Sequence, residues 1–432
     1  MGMLAAMPPT PPVAEPRPGA SGRDRDGASA GGRDGAAGPG RDRGDACPGA
    51  LRLHRADDGA LARVRLPGGL LTAAQALVLA DAAEQLGDGR LELTSRGNVQ
   101  LRGLAEDAGA ELGARLRAAG LLPSETHERV RNVIASPLSG LDGLGHADVR
   151  SWARELDALL CASPLAAGLA GLFLFVLDDG RGDVAALDAD VTLIATPGGG
   201  ALLRLGRAAT ARRIAPGSVP TAALAAAEEF LTAVRAAGVK AWFVREAAEL
   251  LDPGAEPLPA FAGGAPESGP FDGGLVAGTG FGTVSAAQWR TLAEAAAASA
   301  GELRITPWRS VVLPGATAVR ELAAAGLRLT PGSPWELATA CTGAPGCAKS
   351  LADVRADAAR ALGTAGVPGL PVHWSGCERR CGHPAGEWVD VLATGPGAYR
   401  VTARRTSGPT TTMQDLTTEQ MAQAVAEARR TK

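Results

Sequence analysis

Aromatic residues make up only 3% of the 432-residue chain, with a single tyrosine, while Ala and Gly abound. That is a bias of composition and carries no functional signal. No apolar run reaches the roughly 18 to 20 uncharged residues that a spanning helix needs. Neither sign of charge dominates: 43 basic against 46 acidic residues leave a net charge of -3, and their mixing gives no long-range pull toward nucleic acid or an anionic membrane. Recognition of an anion must therefore be local. No secretory leader is expected, because the opening MGMLAAMPPTPP is cut short by prolines before an apolar stretch can form. The chain is expected in the cytoplasm. Structural disulfides are rare there, so its six cysteines ask for a metal, a redox role or simple burial. Residues 1–46, rich in Pro, Gly, Ala, Arg and Asp, hold too little apolar surface to offset the entropy of ordering and are expected to be disordered.

The remainder is 46% hydrophobic on the whole-chain average, enough for two to four modest domains. It contains a repeat. The segment RVRLPGGLLTAAQALVLADAAEQLGDGRLELTSRGNVQLRG (Arg63 to Gly103) recurs as VAGTGFGTVSAAQWRTLAEAAAASAGELRITPWRSVVLPG (Val276 to Gly315). Both copies read strand, turn, helix, strand, strand: Ala74, Leu77, Leu79, Ala82 and Leu86 fall at helical spacing, and Leu91, Leu93, Val99 and Leu101 alternate, as do Leu303, Ile305, Val311 and Leu313. Each copy precedes a second kind of unit, and only the later one carries paired cysteines. The Pro/Gly-rich stretch 252–274 reads as a linker. The glycines of GTGFGT (Gly278, Gly280, Gly282) do not have the spacing of a dinucleotide-binding loop, and the repeat aligns them with LPGGLL, a plain strand-to-helix turn.

Four cysteines fall in two tight pairs, Cys341-x5-Cys347 and Cys377-x3-Cys381, with a helix and a strand between the pairs. Thiolates on two neighbouring loops can converge on an iron–sulfur cubane, and the glycines of CTGAPGC and SGCERRC let backbone wrap closely around inorganic sulfide. A structural zinc is the alternative, disfavoured because its pairs are usually spaced by two to four residues. Cys47 and Cys161 lack such partners and read as core packing or idle thiols.

C-x5-C followed by C-x3-C in a duplicated chain of this length resembles the nitrite and sulfite reductase superfamily, whose enzymes pair a [4Fe-4S] cluster with siroheme. Within it the chain looks most like the precorrin-3B synthases, oxygen-dependent enzymes of aerobic cobalamin biosynthesis. The likeness runs from Cys47 to about Ala403, through CPGALRLHRADDGALARVRLPGG, LELTSRGNVQLRG, RNVIASPLSGLDG, RITPWRSVVLPG, ACTGAPGCAKSLADVRADA and VHWSGCERRCGHP. It implies an α+β fold of duplicated nitrite/sulfite reductase-like architecture: two ferredoxin-like α+β units (47–120 and 275–330) and two α/β units (121–251, without cysteine ligands, and 331–432, binding the cluster) in a pseudo-twofold arrangement. A tetrapyrrole would lie at their junction.

A uroporphyrin-derived ring carries about eight carboxylates and needs several fixed cations, best supplied by arginine forks. Thr94, Arg96, Asn98 and Gln100 alternate on one strand-pair face, and the resemblance gives Arg96 a tetrapyrrole-binding role; a solvated face is the plain alternative. Arg131 and Asn132 match a tetrapyrrole-contacting Arg-Asn pair, though Arg131 alone would be an ordinary surface arginine. Trp308 and Arg309 occupy the equivalent strand of the second copy, where Trp308 serves core packing equally well. His373 and His383 flank the second cysteine pair and could ligate a mononuclear iron or act as hydrogen-bond donors behind the cluster.

Where the superfamily's reductases carry a lysine pair that binds and protonates the oxyanion, this chain has Leu172 and Leu174. The resemblance then implies oxygen chemistry on an organic ring: conversion of precorrin-3A to precorrin-3B, with dioxygen, an external electron donor and the [4Fe-4S] cluster, and with siroheme or a mononuclear iron as further candidates. A siroheme-dependent sulfite or nitrite reductase and a non-enzymatic tetrapyrrole or iron–sulfur carrier are the alternatives. No nucleic acid or membrane partner is expected.

Overall fold

The computed structural model describes residues 47–261, 263–364, 369–384, 386–406 and 412–430; the expected disorder of residues 1–46 falls outside this range. The first unit comprises β1 (His54–Ala56), β2 (Gly59–Val64), β3 (Leu70–Thr72), α1 (Ala73–Leu86), β4 (Arg90–Leu93), β5 (Val99–Leu104) and α2 (Gly109–Ala118). The second comprises β6 (Val133–Ala135), α3 (Val149–Ala162), β7 (Phe175–Asp178), β8 (Val191–Ala195), β9 (Ala201–Leu205), β10 (Thr210–Ile214) and α4 (Val219–Ala236). The same two themes return. After β11 (Glu256–Pro257) come β12 (Gly269–Phe271), β13 (Gly274–Gly278), β14 (Thr283–Ser285), α5 (Ala286–Ala297), β15 (Glu302–Ile305), β16 (Ser310–Pro314) and α6 (Val319–Ala324). The last unit holds β17 (Ala338–Ala340), α7 (Val354–Thr364), β18 (Val372–Ser375), β19 (Trp388–Gly395), β20 (Ala398–Arg404), β21 (Thr412–Thr417) and α8 (Thr418–Arg429).

The two copies of the repeat are interlocked. Their sheets run β1-β2-β5-β4-β14 and β12-β13-β16-β15-β3, so each copy lends its short strand to the other's sheet edge. Glycine makes the exchange possible: a Cβ on Gly69 would overlap the carbonyl oxygen of Ile305, and one on Gly282 would crowd that of Leu93. Each lent strand ends in the cap of the following helix. Thr72 and Ser285 accept the amides of Gln75 and Gln288, whose side chains reach back to the cap amides. The helices α1 and α5 then pack on one another, with Trp289 fully buried and its indole N–H donating to the Ala76 carbonyl at 2.8 Å. One aliphatic core consequently spans both copies.

The other two units share a topology. In the first, β6, β7 and β8 run parallel and β9 and β10 turn back antiparallel; in the second, β17, β18 and β19 run parallel and β20 and β21 turn back. Helices α3 and α4 cover one sheet through Val149, Ala153, Leu156, Leu160, Ala226 and Phe230, and α7 and α8 cover the other. The stretch expected to be a bare linker contributes β11 and β12, each at the edge of a different sheet. Pro257 and Pro270 fit there because an edge strand can dispense with ladder donors.

Candidate active site: four thiols at an arginine-lined cleft

The cysteine loops leave adjacent parallel strands. Since Ala340 of β17 pairs with Trp374 of β18, the loop from Cys341 to Cys347 and the loop from Gly376 to Cys381 emerge side by side. The Cys341 amide donates to the Trp374 carbonyl at 2.9 Å, and the Gly376 amide donates to Cys341 Sγ at 3.2 Å. A Cβ at Gly376 would overlap Ser350 Oγ, so glycine is needed to bring that amide to the sulfur. Burial pushes the Cys341 and Cys381 thiols up, and the other sulfurs add to it: Cys381 acts on Cys341, and Cys377 and Cys347 on Cys381. Ionising Cys341 and Cys381 at this depth calls for a cationic centre. Among the described residues no three of these thiols lie within 4.8 Å of one another, whereas tetrahedral zinc with bonds of about 2.3 Å would hold them about 3.8 Å apart. Soft donors on this wider spacing, with N–H groups aimed at sulfur, fit a [4Fe-4S] cluster. Cys47 is buried near Arg63, and Cys161 is half-buried on α3 near Asp157 and Arg131.

Residues that the sequence reading passed over hold the cluster loop. Arg355, in the first turn of α7, donates from Nε to the Cys341 carbonyl (3.1 Å), from Nη1 to Thr283 Oγ1 (3.0 Å) and from Nη2 to Glu92 (2.8 Å). One guanidinium thus joins the cluster loop to both copies of the repeat. Asp58, in a bidentate pair with Arg102 (2.8 and 2.7 Å), brings that arginine to the Gly346 carbonyl, and Asp57 accepts the Ala348 amide at 2.8 Å.

The earlier α/β unit shows what the same scaffold does without a cluster. The segment from Ala135 to Ala147 has the length of that from Ala340 to Ala352, and ADVR follows in both, from Ala147 and from Ala352. Ser136 therefore stands where Cys341 does, and Asp142 where Cys347 does. The hydrogen bonding agrees: the Asp179 amide donates to Ser136 Oγ at 3.1 Å, as Gly376 does to Cys341 Sγ. In place of a cluster, Arg181 bridges Asp142 and Asp179 (2.7 and 2.8 Å), and Ser136 donates to Asp183 at 2.6 Å. Asp178, Asp179 and Asp183 lie close enough together to suit a cation, but Asp178 is occupied by the amides of Gly180, Gly182, Val184 and Ala185. Burial pushes Asp183 up to about 7.

Cys341 and Cys381 open onto a cleft of about 990 Å³ between the first copy of the repeat, the turns at Phe281 and Arg309, and the cluster loops. Thr94, Arg96, Gln100 and Arg309 line it, joined by Arg63 and Arg355. Glu92 is the acid on this wall; burial opposes its charge, but Arg355 and Arg102 outweigh burial and hold it below the usual glutamate range. Four arginines against one carboxylate make the cleft cationic. Thr94 Oγ1 shapes the hairpin by accepting the Arg96 and Asn98 amides (3.3 and 3.1 Å), and Gln100 bridges Arg63 and Glu92 at 2.9 Å each. Leu172 is part of the same wall.

Other expected contacts lie elsewhere. Asn98 is buried, accepting the Leu66 amide (2.9 Å) and donating to Asn132 (3.3 Å). Asn132 braces the Leu172 segment through the carbonyls of Gly171 (2.9 Å) and Phe173 (3.3 Å). Arg131, 3% exposed, forms a bidentate pair with Asp157 at 2.6 and 2.7 Å and reaches the Leu121 carbonyl. None of the three lines the cleft, and each is held by protein partners behind its wall. Trp308 packs on Ile134, Leu174, Val176 and Val184, filling the position in the second copy that Arg96 leaves open in the first. Leu174 belongs to that cluster, so only Leu172 of the leucine pair reaches the cleft. His373 is buried, hydrogen-bonded to Thr339 at 2.8 Å and kept neutral by burial, then by Arg309, at about 3. His383 stacks on Trp388 with ring centres 5.1 Å apart. Neither ring lines the cleft.

The comparisons agree with this geometry. The Nitrite/Sulfite reductase ferredoxin-like half domain matches residues 53–119 and 275–325, the two interlocked copies. The chain is 29% identical to a precorrin-3B synthase from Sinorhizobium sp over 381 residues, covering 83% of this chain and 82% of that one. It is 35% identical to a ferredoxin–nitrite reductase from Leptolyngbya laminosa over 100 residues, which is 23% of this chain and 20% of the reductase. The structure of Mycobacterium tuberculosis NirA protein superposes with a TM-score of 0.66 at 20% identity, covering 85% of this chain and 79% of that one, a likeness of fold. The chain thus carries the nitrite/sulfite reductase ferredoxin-like half domain twice, shares the NirA fold, and is similar to a precorrin-3B synthase along most of its length.

Proposed function

We propose that the chain is an iron–sulfur monooxygenase that converts precorrin-3A to precorrin-3B by C20 hydroxylation and lactone formation. Dioxygen and two electrons with two protons from an external donor place one oxygen atom in the product and release the other as water. The observation that carries this reading is Leu172, an apolar residue on the wall of a wide arginine-lined cleft beside two of the cluster cysteines. Reduction of sulfite or nitrite needs several protons delivered to a small oxyanion. The chain has three lysines, Lys240, Lys349 and Lys432, and among the described residues neither lysine nor histidine lines the cleft. A large polycarboxylate ring needs instead a broad cationic surface, and the precorrin-3B synthase matched along most of its length supports that choice.

Cys341, Cys347, Cys377 and Cys381 would hold the cluster, which supplies single electrons when bound. Arg96, Arg63 and Arg309 would clamp ring carboxylates, with Arg forks fixing orientation as well as affinity. Leu172 keeps the wall beside the ring apolar, and the Arg355–Glu92 pair holds the cluster loop at the cleft edge. A siroheme or a mononuclear iron is the candidate oxygen-activating group, and the same arginines suit siroheme carboxylates. Turnover decides the matter: with a chemical reductant, the protein should consume oxygen in a precorrin-3A-dependent manner and reduce sulfite or nitrite poorly. Rapid sulfite reduction without oxygen-dependent turnover of the corrinoid precursor would instead establish the reductase reading.

A further inference from the structure

A second, smaller chamber lies on the far side of Phe281, Gly282 and Arg309, which line both spaces. Its outer wall comes from the segment before β17, with Arg328 and Trp335, and its roof from residues just ahead of β12. The Arg328 guanidinium lies over the Trp335 indole with its carbon 3.3 Å from the ring centre, and its Nε is buried with no hydrogen-bond partner. Stacking holds the fork by its face and leaves N–H groups on its edge for a ligand. Among the described residues no carboxylate pairs with Arg328, whereas Arg309 has the charge of Glu92 across the cleft. The acid in the chamber, Glu336, is engaged by the Ser268 amide at 2.8 Å. Burial holds both guanidiniums below the ordinary arginine range.

Partly buried cations that lack a counterion are costly and are usually completed by a bound anion. Phe281 and Trp335, with rings 4.9 Å apart, give the chamber one apolar side among its serines and threonines, which suits a short aliphatic stem carrying the charge. Gly282, at φ +78°, has no Cβ to collide with the Arg309 side chain, so that arginine can lie at the junction of the two spaces.

We infer that this chamber is a subsite for one carboxylate-bearing arm of the macrocycle, with Arg328 gripping the carboxylate and Arg309 guarding the passage from the cleft. The inference rests on the tetrapyrrole reading of the cleft. An arm of a ring already seated in the cleft is favoured over a free inorganic anion by the three shared wall residues and by the apolar side.

The test uses the purified cluster-loaded protein and uroporphyrin III, a stable ring with eight carboxylates, with affinity measured by equilibrium dialysis. Arg328→Ala should weaken binding about tenfold, the effect of losing one hydrogen bond to a charged group, with cluster iron and thermal unfolding midpoint unchanged. Millimolar guanidinium ion should restore much of the affinity by refilling the face of Trp335, which a merely structural role for Arg328 would not produce. Binding by Arg328→Ala within twofold of the parent overturns the inference alone. Stabilisation of the parent over Arg328→Ala by sulfate, with equal uroporphyrin affinity, overturns it too and assigns the chamber to a free anion. Absence of uroporphyrin binding by the parent protein removes the tetrapyrrole reading itself, and the inference with it.

Discussion

Arg96 and Arg131 look alike in the sequence, each in a motif that resembles a tetrapyrrole contact, yet the fold gives them opposite duties. Arg96 is carried to the cleft wall by a hairpin that Thr94 ties from within. Arg131 meets Asp157 on α3 and is closed off from the cleft. A motif shows that an arginine needs an anionic partner; it does not show whether that partner is a ligand or an aspartate elsewhere in the chain. Arg131→Ala is accordingly expected to cost about 3 kcal/mol of stability, since it leaves Asp157 partly buried and unpaired, while the folded fraction binds uroporphyrin III normally. Chemical denaturation together with dialysis checks both halves of that statement, and a tenfold loss of binding at unchanged stability would return Arg131 to the site. Trp308 has both duties: it packs on Ile134, Leu174, Val176 and Val184 and also lines the second chamber beside Arg309.

Elements were more legible than partners. Alternation located β4, β5, β15 and β16, and helical spacing located α1 but not its buried face: Ala74 and Leu77 are exposed, while Ala73, Ala76, Leu79, Ala80, Ala82 and Ala83 are buried. The exchange of β3 and β14 between copies was not legible, since three-residue strands carry too little pattern to name the sheet they join. For the cluster loops the spacing of the cysteines was enough, because two loops leaving adjacent parallel strands must lie together. Their anchor, Arg355, had a trace in the sequence, the ADVR that recurs from Ala147, but only the structure shows the arginine joining Cys341, Thr283 and Glu92. Serine in place of any of Cys341, Cys347, Cys377 or Cys381 should remove most cluster iron, a hard hydroxyl replacing a soft thiolate, whereas Cys47→Ser and Cys161→Ser should retain it. Arg355→Leu should lower iron occupancy with all four thiols intact, measured as iron and acid-labile sulfide per chain; full occupancy would make the arginine a bystander.

At the scale of the whole molecule, duplication explains why a chain with nearly balanced charge has one cationic cleft. The first copy of the repeat faces the cysteine-bearing unit and leaves Arg63, Arg96 and Gln100 at an open wall. The second copy faces the cysteine-free unit, where Trp308 and the Arg181 network with Asp142 and Asp179 fill the corresponding spaces. Among the described residues no helix is long and apolar enough to cross a membrane. We propose that the four thiols together hold an iron–sulfur cubane at the edge of a tetrapyrrole cleft. Anaerobic purification followed by metal and sulfide analysis of the same sample tests it most directly. The expected result is about four iron and four sulfide per chain, lost together in the Cys381→Ser variant; one zinc per chain without sulfide would contradict it.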